Sequence, residues 1–333
     1  MTLKEQLKRY AIVTVVIFSS IWALLFIWIH QPLHQVFSYG LMLLWLLLAC
    51  FTIYGIIQQQ TWRYPTLGAY GMALVIAISI FFSLEPKNDR LWQDETENII
   101  QFQFIDGTVE IQNIRNFIWR SNTDYDIQWQ TQRYDLEQLE KIDLVVSHFM
   151  QGPIAHVFIS FGFKNGEHLA FSLEVRQEHD EGFSTIGGFF RQYELAMVVG
   201  DENDLIFTRS NIRDEQVYIY PIDMNQTEIQ MLFLEYLNKA NRLQHTPTWY
   251  NTYVSNCTTI LFDLMEHAVG QIPRDYRVTL PGLIPNYLYD KKVLDNRLSL
   301  EQWKEKAHIN PRIQHIQDIE QISNVEFSKL IRE

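Results

Sequence analysis

Residues 155–176 read AHVFISFGFKNGEHLAFSLEVR, and they decide the fold of the larger part of this chain. Two mostly apolar runs flank Asn165-Gly166, and an Asn-Gly pair between two such runs is the strongest short-range signal of a β-hairpin. His156 lies near the start of the first run, where an unpaired imidazole would be costly. With the turn centred on Asn165, Glu174 falls opposite His156 and is expected to orient its ring. A shift of one residue in the register would weaken this pairing.

Strands and then helices are predicted around this hairpin. Polar and apolar residues alternate, as in half-buried strands, in residues 109–114 and 125–130. Short apolar runs continue the sheet at residues 142–146, 196–199 and 216–221. Helical periodicity follows in residues 227–243, 258–269, 300–308 and 318–331. This order predicts an α+β domain with a mostly antiparallel sheet. A solvated turn is expected at Asp201, Glu202 and Asp204.

The first part of the chain has a different composition. Residues 1–84 contain four basic residues and one acidic residue, and they include apolar runs at 11–29, 39–57 and 67–84. Each run is close to the ~20 residues that a helix needs to cross a bilayer. Residues 28–32 read WIHQP, which does not resemble the small-residue cleavage site of a signal peptide. The sequence therefore predicts a membrane anchor over residues 1–85 and a second domain over residues 86–333.

The basic residues indicate the orientation of this anchor. Lys4, Lys8 and Arg9 precede the first run, and Arg63 lies between the second and the third. Cytoplasmic loops carry an excess of Lys and Arg, so we expect the N-terminus in the cytoplasm. An odd number of crossings then places residues 86–333 on the extracytoplasmic side.

Composition excludes several classes of protein. The chain of 333 residues carries a formal net charge of −12, which argues against a nucleic-acid partner because phosphate neutralisation needs clustered Lys and Arg. Charged residues make up only 20% of the chain, which is typical of a folded protein. Two cysteines cannot build a disulfide framework, and no Cys-x-x-Cys pair is present for zinc. The sequence predicts no metal site and no cofactor.

The two cysteines lie in different settings. Cys50 falls in the second apolar run and is expected to be a small apolar residue there. Cys257 lies in the second domain, where it has no partner for a disulfide in an oxidising compartment. Ser255-Asn256 is a helix N-cap signature, and the start of a helix lowers a thiol pKa and offers N–H groups to an oxyanion. The alternative is an inert buried cysteine.

A thiol nucleophile needs a base, and histidine is the usual one. His156 is the strongest candidate because it stands in an apolar strand with a carboxylate opposite. An ordinary core histidine bonded to a carbonyl group is the alternative. For the third role, orientation of the ring, His168 is the second choice after Glu174.

Several stretches of this domain resemble the Lnb N-terminal periplasmic domain family. They are residues 155–163, 169–178, 188–195, 199–206 and 249–259, followed by Leu280-Pro-Gly, Tyr289-Asp and residues 308–312. The resemblance covers roughly residues 140–312 and excludes the N-terminal spans. It implies a thiol-dependent lipoprotein N-acyltransferase with a permuted papain-like (NlpC-type) fold. Asn256-Cys257 also matches the Asn-Cys dipeptide of the lecithin-retinol acyltransferase group, whereas Thr258-Thr259 departs from it.

The resemblance assigns roles to individual residues. It implies that Cys257 is the nucleophile and His156 the base, with Glu174 as the orienting residue. Supporting or substrate-binding roles fall to Asn251 and Asn256 beside the cysteine and to Arg191, Tyr193 and Glu194 in the motif of residues 188–195. Arg191 can hold a lipid phosphate bidentately or form a structural ion pair with Glu194.

Together these features predict a membrane-bound acyltransferase at the bacterial inner membrane. An acyl chain would move from a phospholipid or a diacylglyceryl lipoprotein through a Cys257 thioester to the α-amine of a lipoprotein. One alternative is a cysteine peptidase or amidase that acts on cell-wall peptides. Another is a catalytically inactive, membrane-anchored binding or assembly factor. Rapid alkylation of Cys257 near neutral pH would distinguish an active thiol from an inert one. The lipid bilayer is a further partner on this interpretation, and the sequence leaves the oligomeric state open.

Overall fold

The computed structural model describes residues 2–32 and 34–333, which divide into two compact units. The first unit comprises the chain up to Pro86 together with Ser184–Gln192, and the second comprises Lys87–Phe183 and Tyr193–Glu333. The sequence places residues 184–192 inside the second domain, whereas the structure groups them with the N-terminal helices.

The first unit is built on long apolar helices. They are α1 (Leu3–His30), α2 (Gln35–Ile57) and α3 (Arg63–Ser83). Among the described residues, these three helices are long and apolar enough to cross a membrane. α1 begins earlier than its apolar run because Thr2 and Glu5 form a capping box at its start. The hydroxyl of Tyr70 in α3 lies 2.8 Å from the Ser20 hydroxyl and donates to the Val16 carbonyl of α1, so polar groups pair within the bundle.

Residues 184–192 pack on the ends of these helices. The ring of Phe190 stacks on Trp22 at a centroid distance of 6.2 Å, and its carbonyl oxygen lies 2.6 Å from Nε2 of His30. Nη1 of Arg191 donates to the carbonyl oxygens of Phe81, Phe82 and Leu84. The first unit therefore includes a segment that is distant from it in sequence.

The second unit contains a mixed sheet. Its strands are β1 (Gln101–Ile105), β2 (Thr108–Arg115), β5 (Trp129–Tyr134), β6 (Leu139–His148), β7 (His156–Phe163), β8 (His168–Arg176), β9 (Glu194–Asp201) and β10 (Gln216–Pro221), while β3 (Ile118–Ser121) and β4 (Asp124–Asp126) form a small separate ladder. The strand order is β1-β2-β9-β8-β7-β6-β10, with β5 also paired to β2. The β2–β9 contact is parallel and the others are antiparallel. The strand expected over residues 125–130 is split between β4 and β5.

Helices cover both faces of the central strands. They are α4 (Glu202–Phe207), α5 (Gln226–His245), α6 (Cys257–Val269), α7 (Ile284–Asp290), α8 (Leu300–Ala307), α9 (Asn310–Ile313) and α10 (Asn324–Leu330). One side of β7, with Val157 and Ile159, packs in the core formed with α5 and α6. The other side, with Phe158, packs in a core that contains residues of α4, α9 and α10. Because both faces of these central strands are buried, the strands are mostly apolar. With the helices on the two faces, the unit is an α+β domain.

The solvated turn expected at Asp201, Glu202 and Asp204 is wrong. Asp201 is the last residue of β9, and Glu202 and Asp204 belong to α4. Glu202 and Asp204 are fully buried in α4, and Asp201 is 6% exposed. Asp204 accepts two hydrogen bonds from the Arg115 guanidinium and one each from the Phe117 N–H and Trp119 Nε1. Arg115 compensates Asp204 and Arg332 compensates Glu202, and because both arginines are distant in the chain the local sequence could not indicate them.

Candidate active site

The β7–β8 hairpin places His156 beside Glu174. Ile159 pairs with Phe171 and Ser160 with Ala170, and extending this register by three residues sets Glu174 opposite His156, as the turn at Asn165 predicts. Nε2 of His156 lies 3.2 Å from Oε1 of Glu174 and 2.7 Å from Oγ of Ser172. The Ser172 hydroxyl donates to Glu174 over 2.6 Å, so it accepts from the Nε2–H of His156. This arrangement holds the proton on Nε2 and leaves Nδ1 to exchange a proton with a neighbour.

Helix α6 presents Cys257 at its first residue. Asn256 caps the helix, because its side-chain oxygen accepts from the N–H groups of Thr258 (3.0 Å) and Thr259 (2.9 Å). Thr259 in turn accepts from the N–H of Asn256, which completes a capping box. The cap bonds go to Thr258 and Thr259, and within the described residues they do not use the N–H of Cys257. The thiol and this N–H group therefore lie together at the positive end of the helix dipole.

Electrostatics couple the buried Cys257 thiol to His156. Burial opposes ionisation of both groups, but the charge of Glu174 and hydrogen bonds to Cys257 and Glu174 raise the pKa of His156 to about 9. Burial likewise opposes the thiolate, yet the hydrogen bond and charge of His156 and the Val157 N–H lower the pKa of Cys257 overall. These opposite shifts favour the thiolate–imidazolium pair over the neutral pair, and the thiolate is the reactive form of a thiol.

Three more side chains, Arg209, Glu215 and Ser147, form a hydrogen-bonded network that holds Glu174 in place. Nη2 of Arg209 donates to Oε1 of Glu174 over 2.8 Å, and Nη1 lies 3.3 Å from Glu215. Ser147 donates to the same oxygen of Glu215 over 2.5 Å. Burial opposes the charge of Glu174, but His156 and Arg209 hold the pKa of this carboxyl well below its usual range. Arg209 lies in the π-helical turn Thr208–Ile212, and such turns are frequent at functional sites.

Sequence reasoning missed Ser172 and Arg209. The period of a strand could have revealed Ser172, because residues 172 and 174 share one face of β8. Nothing in the local sequence points to Arg209, which is 35 residues from Glu174. Only the packing of the turn after α4 against the sheet brings it to the site.

The residues before Cys257 build a tight loop. Asn251 accepts from the N–H groups of Tyr253 and Val254, each at 3.0 Å, and its backbone pairs with Ser255. Tyr193 ties this loop to β9, since its carbonyl accepts from the N–H of Tyr250. Asn251 in this loop and Asn256 in the helix cap therefore lie close to Cys257 in the chain. Tyr193 lies outside the site and holds the loop through its bond to Tyr250.

Other predicted residues lie elsewhere. Glu194 is buried, accepts from the N–H of Lys87 and lies 3.6 Å from Arg90, so it does not pair with Arg191. Arg191 lies in the first unit and binds carbonyl groups. His168 is at the turn end of the hairpin, beside the Gly166 carbonyl, and away from His156. Among residues 2–32 and 34–333, no cluster of three His, Cys, Asp or Glu side chains is arranged to hold a metal ion.

The fold and the site define a class: a membrane-anchored α+β protein with a linked Cys, His, Ser and Glu constellation. The model of the Lnb N-terminal periplasmic domain family matches residues 125–282, a range that contains His156, Glu174 and Cys257. This match confirms the resemblance for the motifs up to residue 282, whereas Tyr289-Asp and residues 308–312 lie outside the matched range. No curated protein and no solved structure matches the chain. With the membrane helices that precede it, the match defines a membrane protein with a periplasmic C-terminal domain.

The shifted pKa values predict the pH dependence of thiol alkylation. In the wild type, Cys257 is expected to react with iodoacetamide at a pH below that of an ordinary thiol, ~8.5, because the imidazolium of His156 stabilises the thiolate. His156→Gln removes that charge, so the alkylation profile should move to higher pH and the rate at pH 7 should fall. Peptide mass spectrometry follows the Cys257 peptide separately from that of Cys50. Identical pH profiles of Cys257 alkylation in the wild type and His156→Gln would contradict the ion pair.

Arg209 is expected to act on the site through Glu174. In Arg209→Met the buried carboxylate loses its cation, so its pKa should rise and Glu174 should take up a proton at a higher pH. The acid limb of the activity profile is then expected to move upward by about 1–3 pH units. Arg209→Lys should restore much of the wild-type profile. Arg213→Met, which removes a half-exposed partner of Glu95, is the matched control and should leave the profile in place.

Proposed function

We propose that this protein is a thiol acyltransferase that moves an acyl chain from a lipid ester to the α-amine of a bacterial lipoprotein. The observation that carries the proposal is the linked series Cys257, His156, Ser172 and Glu174, which belongs to a domain joined to membrane helices. Only residues 84–86 separate the end of α3 from the start of the second unit. The proposal includes a permuted papain-like domain, an inner-membrane location and a cytoplasmic N-terminus.

The chemistry follows from the arrangement of the site. The Cys257 thiolate attacks the ester carbonyl carbon, and the N–H of Cys257 donates to the oxyanion that forms. When the C–O bond breaks, the leaving alkoxide takes the proton of the His156 imidazolium, and a thioester remains on Cys257. The amine of the acceptor then attacks this thioester and gives its proton to His156. The C–S bond breaks, the amide is released, and the thiolate–imidazolium pair is restored.

The surroundings of the site support a lipid substrate over a peptide. The two loops that lead to His156 and Cys257 expose apolar side chains, each between 41% and 70% exposed: Phe149, Met150, Ile154, Tyr253 and Val254. Exposed apolar residues grouped around a site are typical of surfaces that contact lipid or apolar ligands. A cell-wall peptide is polar, so a peptide substrate would not explain these exposed apolar side chains.

An apolar cavity along α6 also supports an acyl chain. Its volume is about 430 Å³, within the usual range for ligand sites. Leu261 and Met265, one and two turns after Cys257, line it together with Ile159 of β7. An acyl chain on the thiol would thus have apolar surface available on the same helix.

The test uses a host that is depleted of its own lipoprotein N-acyltransferase. The wild type, Cys257→Ser and the control Cys50→Ser are expressed in it, and intact lipopeptide masses are measured. We expect an amide-linked acyl chain with the wild type and Cys50→Ser, and none with Cys257→Ser. Three chains on the product identify a phospholipid donor, whereas two chains identify the diacylglyceryl group. Unchanged lipopeptides, with all three proteins in the membrane, would overturn the proposal. Cleaved cell-wall peptides that depend on Cys257 would instead establish the amidase.

A further inference from the structure

An apolar cavity of about 300 Å³ lies within the first unit. It is lined by α1 and α3 through Ser19, Trp22, Leu74, Ile78, Phe81 and Phe82. The only hydroxyl in this set already has partners, since Oγ of Ser19 lies 2.6 Å from the Val15 carbonyl and 2.7 Å from the Tyr70 hydroxyl. The Ser19 hydroxyl is therefore not available to compete for a ligand in the cavity.

The depth of this cavity matches one leaflet of a bilayer. Ser19 precedes the end of α1 by eleven residues, and Leu74 precedes the end of α3 by nine. At 1.5 Å per residue these are roughly 14–17 Å, about half of a 30 Å hydrocarbon core. Both helix ends lie on the side from which the chain continues to the periplasmic domain. The cavity thus spans the depth of an acyl chain in the periplasm-facing leaflet.

The guanidinium of Arg191 lies over two rings that line the cavity near the C-terminal end of α3. Cζ of Arg191 lies 4.8 Å from the ring centroid of Phe81 and 5.2 Å from that of Phe82, and both rings line the cavity. In the described part of the chain, the carbonyl contacts of Arg191 use Nη1 alone, which leaves Nε and Nη2 for a phosphate. Arg191 has φ = 58°, a conformation that is uncommon for a residue with a side chain. Such strain persists where the surroundings fix it, and it is enriched at ligand sites.

We propose that α1, α3 and residues 184–192 bind one glycerophospholipid of the periplasm-facing leaflet. One acyl chain fills the cavity between Trp22 and Leu74, and the phosphate accepts hydrogen bonds from Nε and Nη2 of Arg191. Phe190 stacks on Trp22, one of the residues that line the cavity. The inference goes beyond the proposed function, because binding requires no chemistry at Cys257.

The test measures lipid binding to the purified full-length protein by native mass spectrometry. The probes are dioleoylphosphatidylglycerol, dioleoylglycerol and inorganic phosphate, which separate the contributions of phosphate and chains. We expect retention of the phospholipid by the wild type and no retention of inorganic phosphate alone. Arg191→Gln is expected to weaken phospholipid binding about tenfold or more, with dioleoylglycerol binding unchanged. Arg191→Lys keeps the charge and should retain part of the affinity.

Filling the cavity should remove the site for the chain. Leu74→Trp is expected to weaken binding of both lipids, whereas Val75→Trp, at an adjacent position that is 63% exposed, is the matched control and should not. Cys257→Ser should bind as the wild type does, which separates this test from acyl transfer. Phospholipid binding that is equal in the wild type, Arg191→Gln and Leu74→Trp would overturn the proposal. An equal loss of both lipids in Arg191→Gln would show that Arg191 only caps α3 and would overturn the phosphate contact.

Discussion

Replacing His156 with glutamine is expected to lower acyl transfer by roughly 10²–10⁴-fold. The imidazolium stabilises the thiolate of Cys257 in the resting site, and it supplies the proton that the leaving alkoxide needs. Glutamine keeps a polar side chain next to Ser172 and Glu174 but can do neither. The rate of acyl-enzyme formation, followed by intact-protein mass spectrometry with a phospholipid as substrate, measures the loss directly.

His168→Gln is the matched control for this prediction. His168 belongs to the same hairpin and is 8% exposed, but it lies at the turn and contacts the Gly166 carbonyl. We expect His168→Gln to form the acyl-enzyme at close to the wild-type rate. If His156→Gln were as active as His168→Gln, His156 would be a structural residue, and the proposed mechanism would be wrong.

Arg332→Ala is expected to lower the free energy of unfolding by about 3–5 kcal/mol. Arg332 forms hydrogen bonds with both oxygens of Glu202, at 2.8 and 2.6 Å, and with Oδ2 of Asp143. Glu202 is fully buried and Asp143 is 6% exposed. Removing the arginine would leave two buried carboxylates without a cation, which is why the effect should be large. Urea unfolding of the full chain in detergent, followed by tryptophan fluorescence, measures the change.

Two further variants separate this ion pair from a general loss of surface charge. Arg297→Ala removes an arginine whose side chain is 89% exposed and which pairs with Asp295, so little or no change in the free energy of unfolding is expected. Glu202→Gln combined with Arg332→Ala should regain part of the lost stability, because one uncompensated charge is gone. Equal effects of Arg332→Ala and Arg297→Ala would contradict the buried role of Arg332.

The pH dependence of stability has a defined sign here. Burial opposes the charge of Glu202, but Arg332 lowers the pKa of this carboxyl to about 2. A carboxyl with a lowered folded-state pKa stabilises the protein above its unfolded pKa, near 4.3, and this contribution is lost as the pH falls toward 2. Arg332→Ala should therefore lose less stability than the wild type over that interval.

Much of the site was predictable because its signals are local. The Asn165-Gly166 turn and the two-residue period of strands fix the register that sets Glu174 opposite His156. The Asn256 cap fixes the first residue of α6, so Cys257 was expected at the start of a helix. Apolar runs of about 20 residues indicated α1–α3, although all three helices begin several residues earlier than their runs.

The tertiary structure alone decided which charges were compensated and which segments met. Arg209 joins Glu174 across 35 residues, Arg332 joins Asp143 across 189, and residues 184–192 join the membrane helices. The acidic stretch after β9 looked like a solvated turn because its arginine partners are far away in the sequence. Turns, caps and strand periods depend on covalently adjacent groups, so the sequence by itself determined them. Ion pairs between distant residues depend on how the strands and helices pack, so only the folded chain determines them.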